Sequence, residues 1–287
     1  MNVARTPAEL GPGPRAVALG TFDGVHLGHL RVIETLLDAG PEPTVVTFDP
    51  HPRTALGNRV DLLTTLERRL ELLGELGVAE TLVVEFTLDV AGLEPHEFAN
   101  EFLRPIGAET IVAGEDFRFG RARKGDLAML RGLGFETAPV PILLPISSTF
   151  IRELVREGDV AEAAQLLGRP VEVEGIVVTG DARGGTLGFP TANLDVRPEL
   201  LVARNGIYAG AAGENRAAVS IGTNPHYGGR ERRVEAFLLD FSGDLYGRRL
   251  IIELWERLRD EKSFESEQAL IEQIELDVER TRTANRP

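Results

Sequence analysis

The stretch AVALGTFDGVHLGHLRVIETLL, residues 16–37, decides how the first half of this chain is read. Residues 16–19 form an unbroken apolar run of strand length, whereas Leu27, Leu30, Ile33, Leu36 and Leu37 recur at helical spacing. The segment is therefore a buried strand that turns directly into a helix. His26 and His29 fall on one face of the first helical turn, where free backbone N–H groups and the positive end of the helix dipole favour anions. Gly20, Gly24 and Gly28 let a ligand approach the backbone. A nucleotide phosphate fits such a site.

The same alternation continues downstream. Apolar strands are predicted at 45–48, 82–86 and 110–113, with helical segments between them, such as 65–76 with Leu66, Leu70, Leu73 and Leu76. That is the pattern of an α/β domain with a parallel sheet, in which ligands gather at the carboxyl ends of strands. The loops after the first, second and fourth predicted strands would then face one crevice. Two short helices follow, one starting near Ser148 and Thr149 and stopping at Gly158, the other with Asp159 and Glu162 at capping-box spacing and a stop at Gly168. Beyond Pro170 the pattern changes to strands at 172–178, 207–212, 217–221, 234–240 and 250–256 separated by Gly-rich turns, which predicts a small antiparallel barrel. A last helix over 266–283 would bury Leu270, Ile271, Ile274 and Val278. The division is accordingly drawn as 1–168 and 169–287.

Composition narrows the function classes. With 287 residues and 43% hydrophobic composition the chain can bury two cores. A formal net charge of −14 argues against a nucleic-acid partner, because such binding rests on Lys and Arg neutralising phosphates. The absence of cysteine excludes disulfides, thiolate catalysis and Cys-ligated metals. Residues 1–14 carry no apolar signal-peptide core, and no run of about 18 apolar residues occurs, so no membrane association and a cytoplasmic location are expected.

Three further motifs accompany the histidines: TFDPHP at 47–52, GEDFRFGRARKGD at 114–126 and SSTFIR at 147–152. The last sets hydroxyls at a helix N-terminus with an arginine in the first turn, an arrangement suited to departing phosphates. In this order, GTFDGVHLGH and the three motifs resemble the FAD-synthetase module of the bacterial bifunctional riboflavin kinase/FAD synthetases, a nucleotidylyltransferase of the HxGH type. The resemblance implies a Rossmann-like domain that joins FMN to ATP with release of pyrophosphate, Mg²⁺ spreading charge on the triphosphate. It implies that His26, His29 and Arg152 stabilise that charge. Gly20, Phe22, Asp23, Gly28, Ser148 and Thr149 lie in the matching motifs, and His51 and Asp116 would contact FMN or adenine. Phe117 and Phe119 offer either a stacking face or an anchor for their loop.

GDARGGTLGFPTANL at 180–194 is the second dense signal. Gly180, Gly184, Gly185 and Gly188 allow close approach to a phosphate, Phe189 and Pro190 stiffen the chain, and Thr191 and Asn193 present oxygen donors suited to Mg²⁺. The run resembles the riboflavin-kinase fingerprint, which implies a β-barrel riboflavin kinase domain with a C-terminal helix, acting on riboflavin and ATP. The family places its catalytic carboxylate at the position of Glu235, within VEAFLLDF at 234–241, where strand alternation sets it opposite to Ala236. GDLYGRRL at 243–250, RLRDEKSF at 257–264 and DVERTR at 277–282 extend the likeness. Departures are Gly185 in place of a basic residue, a shortened segment at 141–147, and His226 in place of a small polar residue.

Overall fold

The computed structural model describes residues 1–143, 145–180, 189–223 and 232–287. Gly184, Gly185, Gly188 and His226, all singled out from the sequence, lie outside the described residues. The chain divides into two compact units, Met1–Ser147 and Ser148–Pro287.

The first unit is a six-stranded sheet of order β1-β4-β3-β2-β5-β6, parallel throughout. Its strands are β1 (Asn2–Ala4), β2 (Arg15–Leu19), β3 (Pro43–Asp49), β4 (Glu80–Glu85), β5 (Ala108–Gly114) and β6 (Glu136–Val140). Parallel strands are covered by helices on both faces, so the central ones are apolar along their whole length. Every residue of β2 is buried, and so is the stretch from Thr44 to Phe48 in β3. One core holds Val17, Leu19, Val46, Leu82 and Ile111, and the other Ala16, Ala18, Val45 and Val112, as strand alternation requires. The four strands predicted from sequence are present. The two edge strands β1 and β6 were missed, the first too short to show a period, the second containing Pro139 and only half-buried.

Because β2 lies between β3 and β5, the chain winds outward from it in both directions. The loops that leave β2, β3 and β5 therefore emerge at one edge of the sheet, as expected, with the reversal of winding between β2 and β5.

The second unit opens with the helices Ser148–Glu157 and Val160–Leu167. Gly168 ends the second helix in the left-handed region at φ 74°, the usual way to close a helix with glycine. The capping box expected at Asp159 does not form, for its side chain makes no cap hydrogen bond. Both helices pack with the barrel: the Arg204 N–H donates to the Val155 carbonyl at 3.3 Å, and a Cβ on Gly158 would stand 2.7 Å from Arg257 Cδ. The barrel itself is closed, antiparallel and of order β10-β11-β8-β7-β12-β9. Its strands are β7 (Val171–Val178), β8 (Ala192–Asp195), β9 (Gly206–Ala212), β10 (Asn215–Thr223), β11 (Arg232–Leu238) and β12 (Arg249–Arg259). Only β8 was not anticipated, being four residues long and hidden inside the glycine-rich motif.

The last helix, Glu267–Thr283, is capped by Ser266, whose hydroxyl accepts from the Ala269 N–H at 3.2 Å. It corrects the apolar stripe read from sequence. Leu270, Ile271, Ile274 and Val278 are only half-buried, and the fully buried positions are Asp277 and Thr281. The helix is fastened by arginines rather than by a leucine seam. Arg259 of β12 grips the Asp277 carboxylate through Nε at 3.0 Å and Nη2 at 2.6 Å, and Arg216 of β10 donates to the Thr281 and Ala284 carbonyls at 2.9 and 2.7 Å. Arg216 also lies 5.1 Å from the Trp255 ring.

Asp277→Ala leaves the half-buried Arg259 guanidinium without its carboxylate, and breaking such a pair from one side costs up to about 3 kcal/mol. Trp255 is the chain's single tryptophan and stands on β12, so a urea titration followed by tryptophan fluorescence reads the barrel unit alone. The midpoint is expected to fall markedly; an unchanged midpoint would show that the helix contributes little to the barrel.

Candidate active sites

In the first unit the turn after β2 is held by an inward carboxylate. Asp23 is 1% exposed and accepts from the Leu63 and Thr64 N–H groups at 3.0 and 3.1 Å and from the Thr64 hydroxyl at 3.3 Å, while that hydroxyl accepts from the Gly24 N–H at 3.2 Å. Gly24 needs its lack of a side chain twice over. It sits at φ +82°, and a Cβ would stand 2.6 Å from Leu63 Cδ1. Phe22 and the β-branched Val25 also adopt positive φ, 53° and 40°, and both are buried. Such positions cost about 1–3 kcal/mol each and persist only where the surroundings over-determine them. The turn is thus locked from several sides.

That lock delivers the two histidines. His26 is the N-cap of the helix Leu27–Asp38, and its Nδ1 accepts from the His29 N–H at 3.3 Å, while His29 Nδ1 accepts from the His26 N–H at 3.3 Å. The rings stack with centroids 3.6 Å apart. Each Nδ1 serves as an acceptor, so the proton of each neutral ring is on Nε2, where it is a donor. A Cβ on Gly28 would lie 3.1 Å from His26 Nδ1 and Cε1, which is why glycine stands between the histidines. Phe22 backs His29 at 5.1 Å between ring centroids.

At the neighbouring strand ends, His51 caps the short helix Pro52–Ala55, its Nδ1 accepting from the Arg53 N–H at 3.1 Å. The Asp116 side chain is exposed on the loop after β5. Phe119 anchors that loop in the core, 5.8 Å from Phe98, and Phe117 stacks on it at 5.8 Å. Ser148, Thr149 and the buried Arg152 open the first helix of the second unit.

Arg69 escaped the sequence reading. It is 1% exposed, and its Nη1 donates to the Thr47 hydroxyl at 3.3 Å and the Phe48 carbonyl at 3.2 Å. Burial pushes this guanidinium down from its usual range, against the opposing charges of Asp23 and Asp49. It ties the end of β3 beneath the histidine turn, where the Thr47 hydroxyl also donates to the Thr21 carbonyl at 3.0 Å. The signal was present: Arg69 shares the inward stripe of Leu66 and Leu73, a place where a charge demands a reason.

In the barrel, inward and outward residues alternate along β11, with Val234, Ala236 and Leu238 buried. Glu235 therefore projects from the outer wall, directly across from Asn193 of β8. Thr191 donates its hydroxyl to Glu235 Oε2 at 3.2 Å, and Arg233, two residues before Glu235 on the same face, pairs with Oε1. Gly180 makes room for the amide: a Cβ there would stand 2.3 Å from Asn193 Cγ. Phe189 meets Phe237 edge-on at 5.4 Å, and Pro190 is exposed beside them. The structure thus gathers Gly180, Thr191, Asn193 and Glu235 at one place. The cluster offers a hydroxyl, an amide oxygen and a carboxylate, hard donors that fit Mg²⁺, which completes its sphere with phosphate and water.

The family model for FAD synthetase matches residues 11–144, and that for riboflavin kinase matches residues 167–285. Bifunctional riboflavin kinase/FMN adenylyltransferases are similar over nearly the full length: that of Listeria monocytogenes is 38% identical over 93% of this chain and 91% of its own, and that of Escherichia coli 34% over 96% and 93%. A crystal structure titled as a macrolide-efflux protein from Streptococcus pneumoniae superposes with a TM-score of 0.89, at 32% identity and 99% coverage of both chains. Among the described residues of the present chain, no helix is long and apolar enough to cross a membrane.

Gly180→Ala should push the Asn193 amide away from Glu235. Displacements of about 1 Å at a reacting centre cost about 10²-fold in rate, so riboflavin phosphorylation is expected to drop by that order while adenylylation of supplied FMN persists. Unaltered phosphorylation would show that the amide's position is immaterial.

Proposed function

We propose, for a chain that belongs to the bifunctional riboflavin kinase/FMN adenylyltransferase family, that its two reactions are carried by the two residue clusters just described. The enzyme phosphorylates riboflavin with ATP to FMN and adenylylates FMN with ATP to FAD and pyrophosphate. In our reading the adenylylation centres on His26 and His29. An FMN phosphate oxygen attacks the α-phosphorus of ATP, the bond to the departing pyrophosphate breaks, and negative charge grows on the oxygens between. Two Nε2–H donors fixed by the reciprocal cap would meet that charge without reorganising. By the motif resemblance alone, Arg152, Ser148 and Thr149 are assigned to the departing phosphates, Gly20, Phe22, Asp23 and Gly28 to the walls of the nucleotide site, and His51 and Asp116 to FMN or adenine. The single observation that carries this assignment is the mutual Nδ1 capping of the two imidazoles.

For the kinase step, Glu235 is assigned as the base that takes the proton of the ribityl hydroxyl as its oxygen attacks the γ-phosphorus of ATP, with ADP leaving. Thr191 and Asn193 would hold Mg²⁺, which when bound neutralises phosphate charge. Gly180, Gly188, Phe189 and Pro190 are assigned to the nucleotide and flavin walls. The reading is supported by the pairing of Glu235 with Asn193 and the hydrogen bond from Thr191.

We place the functional boundary at 168/169, supported by the left-handed stop at Gly168 and the start of the kinase match at residue 167. The helices 148–157 and 160–167 nonetheless pack with the barrel, so a fragment that keeps them is the one expected to retain kinase stability. We propose a cytoplasmic location, where ATP for both steps is at hand.

His29→Ala removes one donor and one cap, and loss of such a donor costs about 10²–10³-fold. FAD formation from supplied FMN is expected to fall by that order, with FMN still accumulating from riboflavin; parental FAD formation would remove His29 from the mechanism. Glu235→Gln keeps the shape but cannot accept the proton, and losing a positioned base costs about 10²–10⁴-fold. FMN formation is expected to collapse while riboflavin still quenches on binding and supplied FMN is still adenylylated. Near-normal kinase turnover would refute the role of Glu235.

A further inference from the structure

We propose that Arg233 is an electrostatic latch on the kinase site: without nucleotide its guanidinium holds the cation position of the Thr191, Asn193 and Glu235 oxygen cluster, and a magnesium nucleotide must displace it. The inference rests on the reading of those three residues given above. Arg233 and Glu235 share the outer face of β11, because the intervening Val234 points into the barrel. The guanidinium reaches the proposed base and one of the two proposed metal ligands. Its Nε pairs with Glu235 Oε1, and its Nη2 donates to Asn193 Oδ1 at 3.4 Å. With the Thr191 hydroxyl on Oε2 at 3.2 Å, both carboxylate oxygens of Glu235 already accept hydrogen bonds.

The chemistry of this state differs from that of a working site. A guanidinium seated against the carboxylate and amide oxygens repels a dication from the same place, so the cation position is taken. The pair also neutralises the carboxylate of this cluster. Burial decides whether the contact is a permanent strut or a latch. The side chains are 37% and 25% exposed, so water reaches the pair, the guanidinium gains hydration when it swings outward, and the stabilisation lost amounts to about two- to fivefold in equilibrium. That is small enough for a dication with its phosphates to displace. The adjacent Arg232 is spoken for elsewhere, donating to the Ala203 carbonyl.

Mn²⁺ in place of Mg²⁺ provides a readout independent of turnover. The full-length protein is titrated with Mn²⁺ and ADP, free Mn²⁺ is followed by electron paramagnetic resonance, and the component of binding that Asn193→Ala removes is taken as the kinase site. Removing the competing charge in R233M, or in R233Q as a second neutral variant, is expected to tighten that component about two- to fivefold, and to lower the Mg²⁺ concentration for half-maximal FMN formation in parallel. R233K, which keeps the cation, should bind Mn²⁺ as the parent does. Unchanged or weaker binding in both neutral variants overturns the latch, as does equal tightening in R233K and R233M, which would make the effect steric. If Asn193→Ala removes no component at all, the metal assignment itself fails.

Discussion

A helix cannot begin without acceptors for its first N–H groups, and this chain satisfies that requirement with the same two imidazoles proposed to act on the nucleotide. Serine, threonine, asparagine or aspartate would cap as well. Histidine does something more, since accepting through Nδ1 puts the proton of each ring on Nε2. The orientation, spacing and tautomer of both rings thus follow from one helix start. What surrounds them is in service of that start: Gly28 yields the space, Phe22 backs the ring, Asp23 pins the turn, and Arg69 ties the neighbouring strand end beneath it.

The barrel solves its own problem differently. Closure leaves no open edge, and the outer wall, not the packed interior, carries the polar cluster. Short β8 is wedged between β7 and β11 and brings Asn193 to Glu235 across a sequence separation that no local element could span. The terminal helix is then secured by charge, through Arg216, Arg259 and Arg280, each reaching a carboxylate or a main-chain carbonyl.

Sequence periodicity exposes whatever is long and apolar. Strands β2 to β5 and the helices 27–38 and 66–75 were legible because each buries a continuous row of side chains. Strands β1 and β8 were not, because three or four residues cannot display alternation. The final helix misled for a different reason: Leu270, Ile271, Ile274 and Val278 make a plausible stripe, but helix position is set by Asp277 and its arginine, an interaction between strands and helix that no local pattern records. Some candidate site residues stand where glycines crowd together, since close approach is what glycine signals, whereas His51, Arg152 and Glu235 lie in glycine-free motifs and were assigned by the family resemblance. Arg69 and Arg233 were passed over because one arginine in a helix and one in a strand look like ordinary surface charges until burial and partners are known.

The short strand β1 has a consequence for how the molecule behaves among its own copies. Asn2–Ala4 lies against β4, whose Leu82, Val83 and Val84 are buried and whose free side would otherwise present a row of unpaired backbone groups. An open, apolar, parallel strand of that kind is a template for adding another chain. Arg15 keeps the guard in place: its guanidinium pairs with Glu80 at 2.6 Å, holding that carboxyl below its ordinary range, and donates to the carbonyls of Leu10, Gly11 and Ile106. The leading residues thus act as a selvedge, a woven border of three residues that covers the apolar strand and is itself too short to offer a long template to another chain.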